Sequence, residues 1–138
     1  MSAAALEARL TSLQSEAAEA LTRAYAPYSR FRVGAALLTE SGDIIVGCNV
    51  ENASYPAGTC AERVALGAAV VAGHRKFSAL AICSEAPSPT PPCGICRQAL
   101  AEFGLDVVVV SATLAGPVMR WTLDELLPHP FTPSSLHL

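Results

Sequence analysis

Apolar residues recur along the chain in blocks whose period changes, and the changes mark the elements. Between residues 3 and 25, Leu6, Leu10, Leu13, Ala17, Leu21 and Ala24 fall at steps of three and four, the spacing of one apolar stripe on a helix. Pro27 ends that helix. Phe31 to Thr39 and Asp43 to Cys48 are rich in Val, Ile, Leu and Ala, and the turn Glu40-Ser41-Gly42-Asp43 joins them into a predicted β-hairpin. Asn49 to Gly58, with Asn49, Asn52, Pro56 and Gly58, reads as a loop. Cys60 to Ala72 has helix length but carries apolar or small residues on nearly every face after Arg63. A helix of that kind is covered on both sides, by its own domain or by a partner.

Phe77 to Cys83 predicts a strand, and the segment from Ala86 to Pro92 is stiffened by four prolines. A short helix over about Gly94 to Phe103 stops at Gly104. Val107-Val108-Val109-Val110 has no polar alternation, so it predicts a central strand covered on both faces. Val118 to Trp121 is a weaker strand, and Thr122-x-x-Glu125 is a capping box opening a last helix that ends at Pro128. The order α-β-β-α-β-α-β-β-α, with no repeat and no linker, predicts one domain over residues 1–138, an α/β fold with a helix-covered mixed sheet.

Composition narrows the class. Hydrophobic residues make up 51% and charged residues 15%, too apolar for a disordered chain. A net charge of −3 argues against a phosphate-tracking nucleic-acid binder. So few charges imply that part of the surface is covered by other subunits. No stretch has the length of a membrane span, and Glu7 and Arg9 sit within an N-terminal segment lacking a basic start. The expected setting is cytoplasmic. In that compartment five cysteines, an odd number, point to metal or catalysis rather than to disulfides.

Cys93-Gly94-Ile95-Cys96 is the tightest chemical cluster. Two thiols at this spacing grip one tetrahedral ion, although the same spacing serves redox thiols or plain packing. Cys60 shifts the balance toward zinc. It opens another helix, with Thr59 as the expected N-cap, and two helix N-termini would put roughly +0.5 charge each on the thiolates. Zinc with three thiolates carries −1, which the two dipoles offset. Three protein ligands leave an open position, the mark of a catalytic zinc. Cys48 and Cys83 lie in strands without paired spacing and read as small core hydrophobes. Glu62, two residues after Cys60, is placed to work as a general acid/base on a metal-activated water; alternatively Thr59-x-x-Glu62 is only a capping box.

Thr59-Cys60-Ala61-Glu62-Arg63 followed by Pro92-Cys93-Gly94-Ile95-Cys96-Arg97-Gln98 resembles the zinc signature of the cytidine deaminases. The likeness extends through Ala26-Pro27-Tyr28-Ser29-x-Phe31-x-Val33-Gly34-Ala35-Ala36-Leu37, Gly47-Cys48-Asn49-Val50-Glu51-Asn52-Ala53-Ser54-Tyr55 and Glu125-Leu126-Leu127-Pro128. Because Cys-x-Glu stands where many zinc deaminases have His-x-Glu, and His74, His129 and His137 fall outside the motifs, the chain is most similar to the small homotetrameric, three-cysteine type.

The resemblance implies a three-layer α/β fold whose five-stranded mixed sheet is flanked by helices. It implies one Zn²⁺ per chain on Cys60, Cys93 and Cys96, with Glu62 shuttling a proton to N3 of the pyrimidine and later to the departing ammonia. It implies that Arg63 hydrogen-bonds a thiolate, that Asn49 and Glu51 bind ribose, that Phe31 packs on the base, and that Ala61 contacts substrate. Arg97 and Gln98 are expected to support the second zinc helix. Phe131, on the extended arm His129-Pro130-Phe131-Thr132-Pro133, would reach an adjacent subunit's pocket in a homotetramer with shared sites, with Tyr55 in the same interface; otherwise Phe131 covers its own domain. The implied activity is hydrolysis of cytidine and deoxycytidine to uridine, deoxyuridine and ammonia in pyrimidine salvage, with a small nucleoside as partner and neither nucleic acid nor membrane. Competing readings are deamination of another cytosine nucleoside, such as a nucleoside antibiotic, and a structural zinc module. The first is disfavoured by the Asn49-x-Glu51 pair, and the second needs a fourth ligand and gives Glu62 no role.

Overall fold

A computed structural model describes residues 1–136; His137 lies outside them. The chain runs through α1 (Ala3–Leu21), β1 (Val33–Thr39), β2 (Ile44–Cys48), α2 (Ala61–Val71), β3 (Phe77–Ser84), α3 (Gly94–Ala101), β4 (Val108–Thr113), β5 (Val118–Thr122) and α4 (Leu123–Leu126). Single 3-10 turns stand at Tyr55–Ala57 and Pro133–Leu136. The five strands form one sheet in the order β2-β1-β3-β4-β5, parallel only between β3 and β4.

Strand periodicity divides the core in two. Ala35 and Leu37 of β1, Leu80 and Ile82 of β3, and Val109 of β4 face α2 and α3. Their neighbours Ala36, Leu38, Ala79, Ala81, Val108 and Val110 face α1, where Leu10, Leu13, Ala17 and Leu21 supply the expected stripe. The unbroken valine run is therefore covered on both faces, as its pattern predicts, while β5 is an exposed edge. Cys83 belongs to the α1 layer, consistent with packing alone.

Three boundaries differ from the sequence reading, each for a tertiary reason. Helix α1 stops at Leu21 rather than near Tyr25, because Tyr25 pairs instead with the loop after β2: its amide donates to Asn49 O and its carbonyl accepts from Glu51 N. Strand β1 begins at Val33, since the Phe31 carbonyl accepts from the Asn49 side chain and the Arg32 amide donates to Glu85. The N-cap of α2 is Cys60, not Thr59, and no side chain caps it, so the Thr59-x-x-Glu62 capping box does not form. The box at Thr122 and Glu125 does form.

Two glycines let helices touch the sheet backbone. A Cβ on Gly34 would collide with Ala17 O and Leu21 N of α1, and one on Gly47 would lie 2.5 Å from Ala61 O and Ala65 N of α2. Both obstacles are main chain and cannot swing aside. Gly47 thus sets how closely the start of α2 approaches β2. Gly47→Ala should lower stability by about 1–3 kcal/mol through overpacking, read as an earlier midpoint in urea, and should reduce the zinc retained per chain. Wild-type stability in that variant would contradict the tight approach.

Candidate metal centre and nucleoside cleft

Helices α2 and α3 lie on the same side of the sheet, and their first residues converge. Cys60 is the N-cap of α2, Cys93 is the N-cap of α3, and Cys96 lies in the first turn of α3. Their sulfurs all fall within 4.8 Å of one another, with Cys60–Cys93 at 3.9 Å and Cys93–Cys96 at 3.5 Å. Zinc with Zn–S bonds of about 2.3 Å spaces its sulfurs about 3.8 Å apart, so this donor set fits a tetrahedral zinc. Cys48 and Cys83 are not part of the cluster.

Electrostatics favour the thiolate at Cys60. The Cys96 thiol donates to Cys60, which together with the Arg63 guanidinium brings the Cys60 pKa down to about 5. Cys96, holding the proton of that bond in a buried position, is pushed up. Arg63 Nη2 lies 3.7 Å from Cys60 Sγ, the placement the sequence reading expects. Burial on so apolar a helix also leaves Arg63 Nε without a partner among the described residues. The Arg63 guanidinium and two helix N-termini thus place positive charge against the sulfur cluster.

Glu62 is only 5% exposed. Desolvation raises its pKa, and the negative charge on Cys60 adds to the shift. Burial thus makes the protonated form more accessible than in a solvated carboxyl. Ala61, between Cys60 and Glu62, is wholly buried.

The second half of the site is a cleft of about 350 Å³ lined by Tyr28, Ser29, Glu51, Asn52, Tyr55 and Gly58. A short pairing ties it to the thiols: Val50 and Thr59 exchange both backbone hydrogen bonds, at 3.0 and 2.9 Å. Extending that antiparallel register by one residue sets Asn49 opposite Cys60 and Glu51 opposite Gly58. Asn49 itself is committed to the backbone, accepting from Val33 N at 2.9 Å and donating to Phe31 O at 2.8 Å, so it fixes the segment that leads from Phe31 into β1. One amide proton and one lone pair of Asn49 remain free. Phe31 is partly exposed, and Tyr55 is 76% exposed with its ring edge-on to Tyr28 at 6.0 Å.

Phe131 is 57% exposed and does not cover the core of its own chain. Gln98 Nε2 donates to its carbonyl at 2.7 Å, while Arg97 donates to Pro92 O and Leu126 O. Consecutive residues of α3 thus clamp the Cys93 turn, the end of α4 and the C-terminal arm. Of the residues lining the cleft, sequence reasoning names Glu51 as a ribose ligand and Tyr55 as part of a subunit interface, and gives no site role to Tyr28 or Ser29. Their position within Pro27-Tyr28-Ser29-x-Phe31 is the signal that could have found them.

Residues 8–112 match the family described as the cytidine and deoxycytidylate deaminase zinc-binding region. The chain belongs to that family of zinc-binding deaminases. Among named relatives, a cytidine deaminase of Halalkalibacterium halodurans is 46% identical over 123 residues, 88% of this chain and 93% of that protein. A cytidine deaminase of Sporosarcina psychrophila is 46% identical over 125 residues, 90% and 92% of the two chains. The crystal structure of cytidine deaminase from Burkholderia pseudomallei has the same fold, with a TM-score of 0.85 and 46% identity over 88% of this chain and 98% of that one.

If the triangle of sulfurs is the zinc site, Cys60→Ala should lose the metal and any deaminase activity together. Cys48→Ala and Cys83→Ala should keep both, by atomic absorption and ammonia release on the same preparations. Loss of zinc from either of the latter would mean a different ligand set.

Proposed function

We propose that the protein is a zinc-dependent cytidine deaminase converting cytidine and 2′-deoxycytidine to uridine and 2′-deoxyuridine with release of ammonia. The observation that carries the reading is the buried Glu62 carboxyl beside three thiols gathered at two helix N-termini. Cys60, Cys93 and Cys96 hold the metal, and Arg63 offsets their charge. Zinc held there supplies Lewis acidity, which makes a nucleophile of water at neutral pH.

The chain's own residues do the rest. Glu62 takes a proton from the water that adds to C4 and passes it to N3 of the ring. It then carries the proton of the new C4 hydroxyl to the amino nitrogen, which leaves as ammonia while the C4 carbonyl of uridine forms. A carboxyl with a raised pKa suits both directions of transfer. Phe31 packs on the base, Ala61 contacts the substrate, and Asn49 and Glu51 take the ribose hydroxyls. A carboxylate at that end also disfavours a 5′-phosphate lying near it.

The single chain leaves one face of α2 uncovered: Gly67, Ala68 and Val71 are exposed, Val71 to 90%. That face and the projecting Phe131 support a homotetramer in which Phe131 and Tyr55 complete the site of an adjacent subunit. The role is salvage of pyrimidine nucleosides in the cytoplasm by one domain spanning residues 1–138.

Glu62→Gln should keep fold and zinc, since a neutral amide of the same shape replaces a buried carboxyl, and should lower deamination by about 10²–10⁴-fold. Near-normal turnover would remove the assigned role. The shared site is tested by mixing Glu62→Gln with Phe131→Ala subunits and assaying at low cytidine. Interfaces pairing an intact Glu62 with an intact Phe131 should restore activity above either parent, whereas mixing that restores nothing would show that each chain builds its own site.

A further inference from the structure

The cleft holds a carboxylate that is unusually well supplied with donors. Tyr28 N and Ser29 N each donate to Glu51 Oε1 at 3.0 Å, and Ser29 Oγ donates to Oε2. The direction of that hydroxyl is settled by its other partner, because Phe31 N donates to Ser29 Oγ at 3.0 Å and leaves the hydroxyl proton for the carboxylate. The arrangement is built into the main chain. Arg30, between Ser29 and Phe31, has φ of 56°, in the left-handed region, and this turns the Phe31 amide back onto Ser29. Ser29 is also the first cause of the lowered pKa of Glu51, which stays ionised and purely an acceptor.

A carboxylate offers about four lone-pair sites. Three are filled by this loop, two on Oε1 and one on Oε2, so among the described residues one acceptor site remains, on Oε2. We infer that Ser29 is a positioning residue for sugar specificity: it holds Glu51 in one orientation with a single free acceptor site, and so sets the affinity for one hydroxyl of the nucleoside sugar. The inference rests on the reading of Glu51 as a sugar ligand. Ser29 itself needs no contact with the reacting atoms, and its effect is confined to substrates that carry the hydroxyl.

The test compares cytidine with 2′,3′-dideoxycytidine, which lacks both ring hydroxyls, using the zinc-loaded full chain and steady-state kinetics, with the dideoxynucleoside also measured as a competitor. Ser29→Ala should raise KM for cytidine by about tenfold, the scale of a lost hydrogen bond to a charged group. It should leave kcat within about twofold and the binding of dideoxycytidine unchanged. Ser29→Thr, which keeps the hydroxyl, should restore most of the affinity, and Ser29→Cys, a weak donor, should fall between. Unchanged KM for cytidine, or an equal loss for both nucleosides, would overturn the inference, the second because Ser29 would then serve only to latch the Phe31 loop. Glu51→Ala separates the two levels. If it discriminates between the nucleosides and Ser29→Ala does not, only the role of Ser29 falls. If Glu51→Ala itself does not discriminate, the sugar-ligand reading falls, and the role of Ser29 with it.

Discussion

Three sulfur atoms drawn within 4.8 Å of one another, from helices whose first residues are 33 positions apart, are the constraint on which the rest of the structure depends. Thiolates at that spacing repel, and the protein compensates locally. Cys60 and Cys93 each stand at a helix N-cap, where main-chain N–H groups carry partial positive charge, and Arg63 reaches back over one turn to Cys60. The convergence requires both helices on one face of the sheet with their starts at the same end, and β2 and β3 supply it: each pairs antiparallel with β1, so the two strands that lead into α2 and α3 run the same way. Each helix follows a strand and packs back across the same layer, which buries Ala65, Leu66 and Ala69 of α2 beside Leu100 and Ala101 of α3.

The cleft inherits its position from this centre. The Val50–Thr59 pairing is the joint: Thr59 leads into Cys60, and Val50 leads into Glu51, so the first thiol of the cluster and the acidic cleft residue are set by one pair of hydrogen bonds. On the far side, Tyr25 pairs with Val50, which draws the Tyr28–Phe31 loop over the same strand end. Arg32 then fixes the loop's exit through two charge-assisted bonds to Glu85. Four segments remote in sequence are thereby held in one cluster with little freedom to move apart.

The proposed association draws on the surface that the single chain leaves exposed. Val71, Tyr55 and Phe131 are large apolar groups left in water by the single chain. Covering them in a subunit interface would contribute apolar burial, at most roughly 1.5–3 kcal/mol for a fully exposed aliphatic or Phe side chain, to the proposed association. Gln98 links this surface to the centre, since the helix that carries Cys93 and Cys96 also holds the carbonyl of Phe131.

Much of this was legible in the sequence because it depends on local chemistry. The α1 stripe, the hairpin, the buried valine strand and the Thr122 capping box each arise from periodicity or turn residues over a few positions, and the Cys-x-Glu and Cys-x-x-Cys spacings mark residues on single helices. What the sequence did not determine is where competing hydrogen bonds go. Thr59 and Glu62 have the spacing of a capping box, yet the helix starts one residue later and Glu62 is buried beside the thiols. Asn49 has the chemistry of a sugar ligand, yet it bonds the main chain around Phe31. Ser29 lies in a recognisable motif, but its spacing names no partner; the left-handed turn at Arg30 and the approach of Glu51 from 22 residues away supply one. A side chain can satisfy several partners with nearly equal energy, and tertiary packing selects among them by deciding which backbone groups are left without strand or helix partners.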